Sequence, residues 1–203
     1  MSIPFQDSET AKNLLRAFAG ESQARNRYDF AATLCQKQEL QAMAFIFQAT
    51  AKQEQAHAKV FWDHLQALNG QNLPIYGAYP IEGTNRVLEL LRAAQHNEHE
   101  EHGSVYPSFA AIATQEGFPE AAASFRQIAA IEQLHGERFG LLADQLESGA
   151  LFVSQIETGW MCLNCGHIQN SLEAPKQCPV CNHGQGWFIR LELAPWSPVV
   201  KQT

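Results

Sequence analysis

The sequence has no long hydrophobic run and little positive charge. No stretch reaches about eighteen consecutive apolar residues, which a membrane-spanning helix needs, and no basic segment followed by an apolar one opens the chain. The chain has 14 Lys+Arg and 21 Asp+Glu, which gives a net charge of −7, and the basic residues form no cluster. These absences argue against a membrane or a nucleic acid as partner, and we expect a cytoplasmic protein.

Cysteine is scarce before the C-terminal part of the chain, and Cys35 is the single cysteine there. Cys35 lies on an apolar helical stripe, so we interpret it as a buried small hydrophobic side chain. The other four cysteines form two Cys-x-x-Cys pairs, Cys162 with Cys165 and Cys178 with Cys181. In a reducing compartment this pattern favours a metal site over disulfides.

Four long amphipathic helices are predicted in the first 150 of the 203 residues. They begin near positions 10, 38, 84 and 119, and the second extends to about 68. Each helix carries a carboxylate on its core-facing apolar stripe, namely Glu21, Glu54, Glu98 and Glu132. Because an unpaired carboxylate removed from water costs several kcal/mol, this repeated feature predicts a cation, a proton or a hydrogen-bond network in the core.

The ligand-type residues repeat between the two halves of the chain. His57 follows Glu54 by three positions and His135 follows Glu132 likewise, so each Glu-x-x-His pair can reach one ion from one helix face. The Glu-x-x-His pairs lie 78 residues apart and the lone carboxylates Glu21 and Glu98 lie 77 apart. These six side chains are the ligand set of a carboxylate-bridged pair of metal ions in a four-helix core.

One carboxylate breaks this symmetry, because Glu101 has Ala24 as its counterpart in the first half. Four ionised glutamates neutralise two divalent ions, so a fifth adds a negative charge that favours an oxidised metal pair. We hypothesise that Glu101 also delivers protons. Tyr28 and Tyr106 are predicted to donate hydrogen bonds to ligand carboxylates; the alternative is that both are ordinary core tyrosines.

A linker rich in glycine and proline, residues 69–83, separates the second and third helices. Its 15 residues can span roughly 50 Å, whereas a helix of some 28 residues is about 42 Å long, so the linker can run the length of the bundle. This predicts a ferritin-like four-helix bundle with a long crossover. Pro107, with Gly103 four residues before it, predicts a kink or a π-bulge in the third helix just beyond Glu101.

The domain organisation follows from a change of pattern near Gly149. We predict a helical metal-binding domain at 1–150 and a small β-rich domain with the C-terminal tail at 151–203. Fewer than about fifty residues form a weak apolar core, so a metal bound by four thiolates is expected to supply folding energy. Iron and zinc both suit four thiolates, and a redox-silent zinc ribbon is the alternative.

Several motifs resemble those of the rubrerythrins. They are Gly20 to Tyr28 (GESQARNRY), Glu54 to His57 (EQAH), Glu98 to His102 (EHEEH) leading to Tyr106 to Ala110 (YPSFA), Glu132 to His135 (EQLH) and the two cysteine pairs. The resemblance implies a ferritin-like di-iron domain followed by a rubredoxin-like four-cysteine iron domain. It implies a non-haem di-iron peroxidase that reduces hydrogen peroxide in oxidative-stress protection, with Glu101 and His57 exchanging as ligands of one iron between oxidation states.

The resemblance also implies a head-to-tail homodimer supplied with electrons by an external donor, a rubredoxin or an NAD(P)H-dependent reductase. The long linker would permit exchange of helix hairpins between subunits. Two departures concern the cysteine domain, where Asn182 replaces a usual glycine and His167 a usual aromatic residue. The competing functions are a ferroxidase that oxidises iron with O₂ and a non-enzymatic scaffold with a zinc ribbon.

Overall fold

Helices occupy most of the chain from Glu9 to Glu147 in the computed structural model, which describes residues 3–194. They are α1 Glu9–Lys37, α2 Gln41–His64, α3 Val87–Glu100, α4 Tyr106–Glu116 and α5 Pro119–Glu147. A π-helical segment, Glu101–Val105, joins α3 to α4. Because α3, the π segment and α4 follow one another without a break, the bundle has four long helical rods, which confirms the predicted fold class.

α2 begins at Gln41, three residues later than predicted, because a turn separates it from α1. Residues 38–40 form this turn, with the Leu40 N–H bonded to the Cys35 carbonyl at 2.9 Å. Glu39 has a φ of 59°, in the left-handed region that reverses the chain. At the other end, α2 stops at His64 and the predicted extension to residue 68 is a 3₁₀ turn.

The third rod confirms the irregularity predicted next to Pro107. The π segment follows Glu100, and Pro107 lies in the first turn of α4, where a missing N–H is tolerated. The rod begins at Val87 instead of Thr84, because the Thr84 hydroxyl accepts the Arg86 N–H at 3.2 Å and holds a turn there. Gly117, with a φ of 85°, ends α4.

The crossover linker, residues 69–86, contains no helix or strand and lies along α1. Arg16 Nε donates to the Tyr76 carbonyl at 2.8 Å, and Gln38 Nε2 donates to the Asn85 carbonyl at 2.9 Å. These two attachment points on α1 are about 33 Å apart at 1.5 Å per residue. The linker therefore spans the bundle, as its length predicted.

Two apolar clusters fill the bundle, one towards each end. One contains Tyr28, Phe47, Leu91 and Phe139. The other contains Leu14, Phe61, Tyr106 and Phe125. On each of the four rods the predicted ligand positions lie between a residue of one cluster and a residue of the other. The polar side chains are thus enclosed midway along the bundle.

The C-terminal unit is an antiparallel sheet in the order β2-β1-β3, formed by β1 Val153–Cys162, β2 Ile168–Glu173 and β3 Phe188–Arg190. Trp160 and Phe188 pack with Cys162 and Cys178 in its own small core. Other residues of the sheet, including Met161 and Ile189, join the apolar cluster at the α1–α2 turn. The predicted C-terminal tail begins at Leu193, and its residues 195–203 lie outside the described residues. Within residues 3–194, none of the helices has the length and apolarity needed to cross a membrane.

Candidate metal centres

Four rods bring six of the predicted ligands together in the middle of the bundle. α1 supplies Glu21 and α3 supplies Glu98, whereas α2 and α5 each supply a Glu-x-x-His pair. The four carboxylates and His135 are at most 1% exposed, and His57 is 7% exposed. Such burial of ionisable groups at the centre of an apolar bundle demands compensating charge.

The ligands form two overlapping groups, each with its donor atoms within 4.8 Å of one another. The members of the first group are Glu21, Glu54, His57 and Glu132. The members of the second are Glu54, Glu98, Glu132 and His135. Because Glu54 and Glu132 belong to both groups, the geometry is that of two adjacent metal sites with two bridging carboxylates and one terminal Glu–His pair each.

The two bridging carboxylates each present one oxygen to each imidazole. His57 Nδ1 lies 2.9 Å from Glu132 Oε1 and 3.1 Å from Glu54 Oε2. His135 Nδ1 lies 2.9 Å from Glu132 Oε2 and 3.0 Å from Glu54 Oε1. The terminal carboxylates are 3.7 Å away, Glu21 from His57 and Glu98 from His135. Every donor atom therefore has an equivalent in the other site.

Six of the atoms that face one another in this cluster lack hydrogen-bond partners among the described residues. They are Glu21 Oε2, Glu54 Oε1, Glu98 Oε2, both carboxylate oxygens of Glu132 and His135 Nδ1. A buried carboxylate oxygen without a donor is costly unless a cation neutralises it. Oxygen and imidazole donors in this number suit iron, so the residues present fit a di-iron centre.

The pKa shifts of the clustered side chains are those expected of a cation-binding site. Burial, together with the negative charges of Glu54 and Glu132, raises the pKa of Glu98 to about 8 despite the opposing effect of the nearby His135. Burial also opposes ionisation of Glu54, but the nearby imidazoles of His135 and His57 lower its pKa to about 2. Burial would lower the pKa of His135, yet its carboxylate neighbours raise it to about 11. Without metal the cluster therefore retains protons, which bound cations would displace.

Each terminal carboxylate is held by a tyrosine from a neighbouring rod. The Tyr28 hydroxyl donates to Glu98 Oε1, and the Tyr106 hydroxyl donates to Glu21 Oε1. In both cases the other carboxylate oxygen faces the metal position. Burial raises the pKa of both tyrosines well above the usual value, so both remain donors at neutral pH. Their catalytic role stays a prediction.

Gln53 contacts a ligand in a way that the sequence analysis missed. Its Oε1 lies 3.0 Å from His135 Nε2, so an Nε2–H donor leaves Nδ1 free to bind metal. Gln53 is exposed and precedes Glu54 on α2. The sequence shows only that Gln53 is next to the bridging ligand Glu54. That position does not predict a contact with His135 on another helix.

Glu101 lies outside both ligand groups, at the start of the π segment. It is half-buried and lines a cavity beside the crossover linker. Burial raises the pKa of its carboxyl group well above the usual range, and Glu98, Glu132 and Glu54 raise it further. The position beside the terminal ligands is compatible with a mobile ligand, but its roles as ligand and as proton donor stay predictions.

The four predicted cysteines meet in two matching turns. Cys162 Sγ lies 3.7 Å from Cys181 Sγ, Cys165 Sγ lies 3.6 Å from Cys178 Sγ, and donor atoms of all four lie within 4.8 Å of one another. The thiols fit one tetrahedral metal ion. A hydrogen bond from the backbone of His183 contributes most to lowering the pKa of Cys181 to about 5, which favours its thiolate form.

Asn182 adopts a left-handed backbone conformation of the kind that favours glycine. Its φ is 61°, and Gly166 in the other turn has a φ of 77°. The Asn182 N–H donates to the Cys178 carbonyl at 2.9 Å, and the Gly166 N–H donates to the Cys162 carbonyl at 2.8 Å. Asparagine tolerates the left-handed region better than most residues, so this departure preserves the turn.

These observations define a ferritin-like di-iron carboxylate protein joined to a rubredoxin-like four-cysteine domain. The family model described as "Rubrerythrin" matches residues 12–143, and "Rubrerythrin, rubredoxin-like domain" matches residues 160–189. The chain belongs to the rubrerythrin family. It thus has the site residues of an iron-dependent oxidoreductase family associated with oxidative stress.

Known relatives match nearly the whole chain. It is 44% identical over 188 residues to rubrerythrin of Porphyromonas gingivalis, covering 93% of this chain and 92% of the relative. It is 43% identical to rubrerythrin of Clostridium perfringens, covering 89% and 93%. Among solved structures, fully reduced, all-ferrous nigerythrin has a TM-score of 0.61 at 25% identity, covering 91% of this chain and 90% of nigerythrin. The similarity therefore includes both domains.

Proposed function

We propose that this chain is a cytoplasmic peroxidase that reduces hydrogen peroxide to water in defence against oxidative stress. The observation that carries the proposal is the joining, in one chain, of two metal sites that share Glu54 and Glu132 with a four-cysteine site. Two ferrous ions bound by these carboxylates would supply the two electrons that one hydrogen peroxide molecule takes up, with two protons, to become two waters.

The protein's own contribution is to order the ligands, exclude bulk water and supply protons. Tyr28 and Tyr106 hold the terminal carboxylates in place by hydrogen bonds. The apolar clusters on either side keep water away from the reacting atoms. Glu101, half-buried on a cavity wall and with a raised pKa, is the proposed proton donor.

Electrons are proposed to enter through iron held by Cys162, Cys165, Cys178 and Cys181. An external donor, a rubredoxin or an NAD(P)H-dependent reductase, would reduce this iron one electron at a time. The cysteine unit packs near Gln41, where α2 begins, and Glu54 lies about 20 Å further along that helix. This separation supports a head-to-tail homodimer in which each four-cysteine iron serves the partner's di-iron centre.

The test is to reduce the iron-loaded protein anaerobically and to mix it with hydrogen peroxide or with O₂. We expect rapid oxidation of both iron sites by peroxide, slower oxidation by O₂, and turnover when a donor is supplied. Faster oxidation by O₂ with retention of ferric iron would instead support the ferroxidase function. Zinc in the four-cysteine site of protein produced with ample iron would support the scaffold.

The roles of Glu101 and of the dimer have their own tests. Glu101→Gln should slow peroxide turnover and alter its pH profile while leaving the visible spectrum of the four-cysteine iron unchanged. Unchanged turnover would remove the proton role. Sedimentation of active protein should give a dimer, and a fully active monomer would contradict electron transfer between subunits. Neither result depends on whether helices are exchanged in the dimer.

A further inference from the structure

A cavity of about 300 Å³ lies between the crossover linker, α1 and the π segment. We call it the linker cavity, and the residues that define it here are Gly20, Arg27, Tyr79, Asn97, Glu101 and Tyr106. Its wall combines a guanidinium, an amide, a carboxyl group and two phenol rings. Such a lining can hydrogen-bond a small polar molecule from several directions.

The linker cavity reaches two residues that lie next to the metal-binding carboxylates. Tyr106 forms part of its wall and donates its hydroxyl hydrogen to Glu21. Glu101 forms another part, one helical turn beyond Glu98. The ligands themselves are almost inaccessible, with only His57 exposed by more than 1%. On the α1–α3 side, the linker cavity therefore adjoins the centre through Tyr106 and Glu101.

Tyr79 lines the cavity on the linker side. Its hydroxyl donates to the Arg16 carbonyl at 2.9 Å. Its ring fits between two glycines: a Cβ added at Gly20 would lie 3.5 Å from the ring, and one added at Gly77 would lie 3.0 Å from the hydroxyl oxygen. The absence of a side chain at Gly77 leaves room for the ring, whereas Gly20, immediately before the ligand Glu21, lies at ordinary van der Waals distance from it.

Glu82 fixes the linker to both rods that border the cavity. Its carboxylate accepts from Arg27 of α1 at 2.8 Å and from Asn97 Nδ2 of α3 at 2.6 Å. Both Arg27 and Glu82 are less than one-fifth exposed at their side chains. This partly buried, shared contact is stiffer than a surface ion pair, so the linker is held at a set distance from the rods.

We propose that the linker cavity is the substrate entrance of the metal centre and that Tyr79 limits the size of hydroperoxide admitted. The inference rests on the proposed peroxidase function and adds a specificity to it. Hydrogen peroxide, with two donors and two acceptors, fits a small polar passage. An aryl-substituted hydroperoxide is excluded by the Tyr79 ring, which the linker contacts of Glu82 keep in place.

The test compares Tyr79→Ala with the unaltered chain, both loaded with iron and reduced. The rate of iron oxidation is measured with hydrogen peroxide and with cumene hydroperoxide. Removing the ring should raise the cumene hydroperoxide rate relative to the hydrogen peroxide rate by about tenfold or more, the range that steric exclusion in a pocket typically gives. An unchanged ratio would overturn the proposal.

Two control variants separate the entrance from general loosening. Tyr79→Phe keeps the ring and should keep the ratio. Trp62→Ala removes an aromatic side chain from a different groove, between α1 and α2, where Trp62 packs on Phe18. It should also leave the ratio unchanged. An equal gain in Trp62→Ala would overturn the proposal, because access would then not depend on the linker cavity.

A second measurement does not require peroxidase activity. Under anaerobic conditions, the rate at which a soluble ferrous chelator removes iron from the carboxylate centre should rise in Tyr79→Ala and stay unchanged in both controls. If the unaltered chain reacts with no hydroperoxide, the proposed function fails, but the chelator rates still test the entrance. Equal chelator rates in all variants would overturn it, and equal circular dichroism and iron content establish that the variants are comparable.

Discussion

Replacing Gly186 with alanine tests how the C-terminal unit is held on the bundle. A Cβ at this position would lie 1.7 Å from the carbonyl oxygen of Glu39, whereas real Cβ atoms essentially never come within 3.0 Å of another heavy atom. The obstacle is backbone, so rotation of a side chain cannot relieve it. The difference between these two distances means that the units must move apart by roughly 1.3 Å.

Such a displacement loosens the apolar contact that the two units share. Met161 and Ile189 of the sheet belong to the same cluster as Met43 of α2. A radial gap of about 0.5–1 Å already loses a quarter to a half of the dispersion energy between packed atoms. Overpacking of this kind costs about 1–3 kcal/mol. We expect Gly186→Ala to lower the free energy of unfolding by that amount.

Chemical denaturation of the metal-loaded full chain measures the loss, and hydrogen exchange of β3 reports where it occurs. Gly184→Ala is the matched control, because a Cβ at Gly184 would meet no heavy atom within 4 Å. It should change stability by less than about 0.5 kcal/mol. If Gly186→Ala were as stable as Gly184→Ala, with β3 equally protected, the contact with Glu39 would not be what holds the units together.

Three further predictions concern other contacts. Gln53→Ala should weaken cobalt binding at the carboxylate centre by about tenfold, because His135 loses the partner that orients it. Gln55→Ala should leave the cobalt affinity unchanged. Equal cobalt affinities of the two variants, measured by titration, would contradict this prediction. Glu116 accepts two backbone N–H groups at the N-terminus of α1, so Glu116→Ala should lower the free energy of unfolding by about 1 kcal/mol at pH 7, and Glu120→Ala by much less. Burial opposes ionisation of Glu116, but a hydrogen bond from the Thr10 hydroxyl and the two backbone hydrogen bonds lower its pKa below 4.5. The contribution of Glu116 to stability is therefore present above pH 4.5 and is lost as the pH falls through the lowered pKa. Denaturation at low pH should accordingly show the two variants converging in stability. Removing metal from the four-cysteine site by chelation should abolish protection of the sheet from hydrogen exchange while the helices stay protected. A sheet that is equally protected without metal would show that its apolar core is sufficient to keep it folded.

The sequence could predict the bundle and its six central ligands because both produce a periodic signal. Glu21, Glu54, Glu98 and Glu132 interrupt apolar stripes at equivalent places, and a polar residue on a core-facing stripe has few explanations. The π segment was predictable from Pro107 alone, because a proline inside a helix must displace a hydrogen bond. These features depend on local spacing, which the sequence contains directly.

The remaining features depend on contacts between distant segments. Nothing near Glu82 indicates that it joins Arg27 to Asn97, and nothing near Gly186 indicates the approach of Glu39. The start of α2 was predicted too early because the turn uses a non-glycine residue in the left-handed region. Such contacts are set by how the rods and the sheet pack, and a single sequence gives no periodic signal for them.

The asymmetry of the centre has a structural origin in the π segment. Tyr28 follows Glu21 by seven residues, whereas Tyr106 follows Glu98 by eight, yet each tyrosine holds the terminal carboxylate of the other half. A π turn contains one residue more than an α turn, so the segment Glu101–Val105 accommodates the additional residue without moving Tyr106 out of place. The same segment carries Glu101 beside the linker cavity, whereas its counterpart Ala24 is packed in the core at 3% exposure. One inserted residue thus explains why Glu21 and Glu98 are 77 residues apart whereas Tyr28 and Tyr106 are 78 apart. The insertion lies in the half of the centre that has both the fifth carboxylate and the cavity.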